Sequence, residues 1–190
     1  MHLRTLPAGL TLLLLPGLAL AHPGHIESGL MAGLAHPLGG IDHLLAMLAV
    51  GLWAAQQSGA ARWALPLTFL GSMLLGALLA YGGAYLPLTE SAIAGSVMAF
   101  SLLVLIAARL PMLAALGLTA AFALFHGVAH GQELPASSVA LGFAGGFLLA
   151  TAGLHALGFA LIRYLPHSAE PLLRISAAFS AAAGGWLLVS

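Results

Sequence analysis

The chain has 190 residues, of which 61% are hydrophobic and 5% charged, with five basic and five acidic side chains and zero formal net charge. Ordinary soluble domains carry about a quarter charged residues, so this composition excludes a water-soluble fold, and the lack of any basic patch excludes nucleic acid as a partner. Cysteine is absent, which removes disulfides, zinc–thiolate sites and iron–sulfur clusters and leaves nitrogen and oxygen as the metal ligands.

Residues 1–21 read as a cleavable signal peptide. Arg4 supplies the positive start, Leu10 to Leu20 a short apolar core interrupted by Pro16, and Ala19-Leu20-Ala21 the small-residue cleavage pattern. The alternative, an uncleaved first helix, is disfavoured by the short apolar stretch and by Pro7, Pro16 and Gly17. Cleavage removes His2 and starts the mature chain at His22. There His22-Pro23-Gly24-His25 is either a metal-capturing terminus of one amine and two imidazoles or a frayed end.

Residues 22–190 form one domain of six apolar segments: Pro37–Gln56, Trp63–Tyr81, Glu90–Ala108, Leu113–Gly131, Ser138–Ile162 and Pro171–Val189. They predict an all-α integral membrane bundle of six transmembrane helices, with connections too short for an extramembrane domain. Arg62, Arg109, Arg163 and Arg174 all fall in connections on one side, and the opposite connections hold no Lys or Arg. The arginine side is therefore cytoplasmic and the mature N-terminus periplasmic, in a bacterial cytoplasmic membrane. Trp53 and Trp63 flank the first inner connection as interface anchors. Gly142 and Gly146, and likewise Gly71 and Gly76, leave room for close helix packing.

Two motifs carry the chemistry. In His36-Pro-Leu-Gly-Gly-Ile-Asp42-His43 the histidines are seven apart, two turns along one helical face, with Pro37 suited to the first helical position. Alternatively the stretch is a broken helix, because Gly29 to Ala35 is already apolar. Asp42 is then either a ligand or the partner that holds an imidazole in the right tautomer. In Phe125-His126-Gly-Val-Ala-His130-Gly-Gln-Glu133 the three ligating residues share one stripe and can converge on one ion. Gly127 and Gly131 beside them predict a locally opened helix. Segment one starts, and segment four ends, on the outer side, so the two motifs meet at one level. Burying such groups among apolar segments is costly, which points to a divalent transition-metal ion as cargo.

Four further side chains are weaker candidates. Glu90 either completes the site, lines its entrance or sits as an interfacial acid. His155 is either a lower station or a satisfied core histidine. Met47 is either a thioether ligand or filler, and His167 reads as a loop residue.

The paired motifs, His36-Pro-x-x-Gly-x-Asp42-His43 and Phe-His126-Gly-x-Ala-His130-Gly-x-Glu133, resemble the HupE/UreJ family of nickel and cobalt permeases associated with hydrogenases and ureases. The likeness covers essentially the whole chain. It implies secondary uptake of Ni(II) or Co(II) from the periplasm and metal-handling roles for His36, Asp42, His43, His126, His130 and Glu133. It also implies hydrogenase or urease maturation proteins as partners, beside the lipid bilayer itself. No prosthetic group is expected and the chain is not read as an enzyme. Without a phosphate-binding loop, uptake would draw on the ion gradient, the membrane potential or a coupled proton. The runners-up are a membrane accessory that hands metal to a maturation partner and an intramembrane metallohydrolase. The second is the weaker, because no Glu lies between the histidines as in His-Glu-x-x-His.

Overall fold

The computed structural model describes residues 29–134 and 139–190. The expected signal peptide and its cleavage site, with His22 and His25, lie outside that range. The described residues fold into seven α-helices and no strand: α1 Gly29–Gly39, α2 Ile41–Gln56, α3 Ala61–Tyr81, α4 Thr89–Leu105, α5 Met112–Gln132, α6 Ala140–Tyr164 and α7 Glu170–Val189. A 3-10 turn, His167–Ala169, leads into α7. Four helices, α3, α5, α6 and α7 with its leading turn, are long and apolar enough to cross a bilayer. Counting α1 and α2 together makes five. Helix α4 has 17 residues, a rise of about 25 Å against a hydrocarbon thickness of about 30 Å.

The first expected segment is corrected. It starts at Gly29 and consists of two helices whose axes meet at 87°. The break falls at Gly40, whose extended backbone (φ −106°, ψ 114°) caps α2 while its carbonyl accepts the Leu44 N–H at 3.0 Å. Pro37 therefore lies near the end of α1, not at a helix start. His36 and His43 belong to different helices and are not two turns along one face.

Backbone contacts set the spacing of the bundle. A Cβ at Gly33 would collide with the Phe143 carbonyl and one at Gly146 with the Leu30 carbonyl, so α1 lies against the N-terminal half of α6. Helix α2 meets the C-terminal half of α6, where Gly51 abuts the His155 carbonyl and Gly158 the Leu48 carbonyl. Gly76 of α3 and Gly127 of α5 lock those two helices in the same way. Two expectations about glycine change here. Gly71 faces open space and holds no neighbour close, whereas Gly127 and Gly131 sit in an uninterrupted α5 and serve packing against α3.

Trp53 is also corrected. It is fully buried, and its indole N–H donates to the Ala108 carbonyl at 2.8 Å, an acceptor to which Gln57 Nε2 also donates at 3.0 Å. A buried indole needs such an acceptor. The α4–α5 connection, where Ala107 takes a φ of 48°, presents one. Trp63 remains exposed and stacks on Phe159 at 5.2 Å. Trp53, Leu65, Phe69 and Phe100 are the large side chains that fill the bundle interior.

Candidate metal centre

On α5 the repeated His-Gly pairs form two adjoining stripes, His126 with His130 and Gly127 with Gly131, each one turn apart. The glycine stripe docks on the Met73 and Ala77 carbonyls of α3, which fixes where the histidine stripe projects. The break at Gly40 then brings α1 and α2 toward it from the other side. His43 lies 5.0 Å from His126 and 4.4 Å from His130 between ring centroids. These three histidines can each offer a ligand atom within 4.8 Å of the others. His126 is fully buried and His130 nearly so.

The hydrogen bonds decide which nitrogen each ring offers. Nδ1–H of His43 donates to Asp42 Oδ1 at 2.8 Å. Ser96 Oγ donates its only proton to the Ile93 carbonyl at 2.7 Å, so His126 Nε2–H is the donor in its 2.9 Å bond to Ser96. His130 Nδ1 faces Glu133 Oε2 at 3.2 Å, and the carboxylate accepts. The nitrogens left over, His43 Nε2, His126 Nδ1 and His130 Nε2, are all buried without a partner. Three lone pairs that point at nothing would each cost about 1–3 kcal/mol. Three neutral imidazoles, each oriented through its other nitrogen, are what a first-row divalent ion requires.

A second group shares His130. His36 Nε2 lies 2.9 Å from Glu133 Oε2 and 3.0 Å from His130 Nδ1, so His36, His130 and Glu133 converge. This group opens outward, with Glu133 exposed. Glu133 stands just beyond α5, and its carboxyl is held at about 2, first by the hydrogen bond from His130 and against the desolvation that would raise it. It is therefore ionised and supplies charge for a cation. His126, His130 and Glu133 do not form one set: His126 belongs to the buried group, Glu133 to the outer one, and His130 to both.

Asp42 lies in neither group. Its Oδ1 also accepts the His43 backbone N–H at 2.8 Å, which makes it the residue that orients the His43 ring. Glu90 is exposed in the first turn of α4, on a surface cavity of about 230 Å³ shared with Gln132, apart from both groups. His167 lines a cavity of about 330 Å³ at the arginine end, with Arg109, Glu170 and Arg174. His155 and Met47 lie deeper, past Phe69, whose ring is 5.4 Å from His126. Two contributors were missed from sequence. Ser96 carried a faint signal as a hydroxyl in an apolar segment; Phe69 carried none.

Several apolar helices with two overlapping sets of ligating side chains at one end define a multi-pass helical membrane protein with a candidate metal centre. Within that class the chain belongs to the HupE / UreJ family, whose model matches residues 10–187. It is 42% identical over 182 residues to Protein HupE of Rhizobium leguminosarum bv. viciae, covering 95% of each chain. No solved structure matches it.

Proposed function

We propose that the chain is a secondary permease that imports Ni(II) or Co(II) across the bacterial cytoplasmic membrane. The observation that carries this reading is the convergence of three buried, partnerless imidazole nitrogens beside an outward-facing His36–Glu133 pair. Nitrogen-rich ligand sets favour late first-row ions over magnesium or calcium. The arginine-bearing connections lie at the opposite end of the helices and, by the positive-inside rule, face the cytoplasm. His36 and Glu133 then receive the ion from the periplasm and pass it to the buried triad, whose His130 adjoins them. Trp53, Leu65 and Phe100 fill the bundle beyond, so release inward requires these side chains to part. In this reading α4 is a sixth, short span, and the α1–α2 pair is one span broken around the site, as in transporters with discontinuous helices.

The membrane potential suffices as a drive: a divalent cation moving inward gains about 4.6 kcal/mol per 100 mV, at about 2.3 per charge. Uptake of radioactive nickel and cobalt into cells lacking other importers tests the reading. Native protein should take up metal and His36→Ala and His130→Ala should not. No uptake by native protein, with hydrogenase or urease maturation intact, would assign it the accessory role instead.

A further inference from the structure

The histidine rings do not stop at the triad. From the outer surface inward, His36 and His130 stand 4.9 Å apart, His130 and His43 4.4 Å, and His43 and His126 5.0 Å. Phe69 follows at 5.4 Å from His126, and His155 at 5.0 Å from Phe69. One apolar ring thus interrupts a continuous column of imidazoles. His155 is built like the ligands above it. Its Nδ1 lies 2.7 Å from the Met47 carbonyl, which can only accept, so Nδ1 carries the proton and Nε2 the lone pair. That Nε2 is buried without a partner. A buried, unpartnered nitrogen of this kind calls for a role.

Met47 and Thr151 stand in the same layer as His155. Thr151, one turn before His155 on α6, donates its hydroxyl to Met47 Sδ at 3.3 Å, and both side chains are fully buried. The close approach of α2 and α6 at Gly51 and Gly158 holds this layer together. Imidazole nitrogen suits nickel, cobalt or copper and not hard, oxygen-seeking ions.

We propose that His155, with Met47 and Thr151 beside it, is a deeper binding position for the same class of divalent transition-metal ion, and that Phe69 is the apolar barrier between it and the triad. As a station on a transport path this rests on the permease reading; as a metal site it stands apart from it. His155→Asn removes Nε2 while keeping an amide N–H for the Met47 carbonyl. Purified protein carrying this change should bind one Ni(II) fewer than native protein by equilibrium dialysis, with the Co(II) visible absorption of the triad retained. In proteoliposomes its uptake should fall at least tenfold. An unchanged ion count, or loss of the triad's Co(II) absorption along with the count, would overturn the site, and native-like uptake would remove it from the path. If native protein transports neither ion, the permease reading falls while the ion count still decides His155. His155→Gln provides the same readings should the asparagine variant not fold.

Discussion

Each of His43, His126 and His130 commits one ring nitrogen to an acceptor inside the protein and keeps the other dry. The acceptors differ in strength, and this orders their importance. Asp42 gives His43 a charged partner, whereas Ser96 gives His126 a neutral one. Asp42→Ala should weaken Co(II) binding roughly 10–100-fold in a titration, and Ser96→Ala should fall toward the lower end of that range. Equal binding in Asp42→Ala would show that the His43 ring is held by packing alone. Imidazoles must be unprotonated to bind a metal ion. Metal affinity should therefore weaken as the pH is lowered, with protons released on binding, which a pH series of the same titration checks.

At this scale the ligating residue types were legible because histidine and acid are costly in apolar segments and stand out. Of their tautomers, that of His43 was legible through Asp42 as one of two readings. That of His126 was not, because it depends on Ser96, which periodicity does not connect to the motifs.

At the scale of helices, glycine placement explains more than glycine content. Gly127 sits against the Met73 carbonyl, and a side chain there must push α5 away from α3 and carry both site histidines with it. Gly127→Val should lower the melting temperature, at a cost of about 1–3 kcal/mol or more, and abolish metal binding. Gly71→Ala, in open space on an exposed helical face, should be neutral or stabilising by up to about 1 kcal/mol. Thermal unfolding of the two variants in one detergent separates these outcomes.

Sequence reasoning found the segments because unbroken apolar length is a strong signal. It assigned Gly71 a packing role and treated Gly127 as a helix opener because a glycine's neighbours are set by tertiary contact. The bend at Gly40 is an intermediate case. Gly39-Gly40 and the apolar stretch before His36 allowed a broken helix, but an axis change of 87° depends on how α1 docks on α6. Trp53 followed the interface rule until the α4–α5 turn offered its indole a buried carbonyl.

Over the whole molecule, charge and ligands are segregated. The arginines of the described chain lie at one end of the helices and the His36–Glu133 pair at the other, so an ion entering by the proposed route meets carboxylate and imidazole before it meets positive charge. That arrangement followed from the order of the segments, since two motifs on antiparallel spans reach the same level only if one opens its helix and the other closes it. The sharing of His130 between two groups did not follow, because it requires α1 to turn back over α5.

The most direct test of the central claim is anomalous diffraction from crystals of the protein soaked in Ni(II) or Co(II), recorded at the metal's absorption edge. The account predicts a peak within bonding distance of His43 Nε2, His126 Nδ1 and His130 Nε2. A peak only at exposed histidines such as His167, with the triad empty at saturating metal, would contradict it.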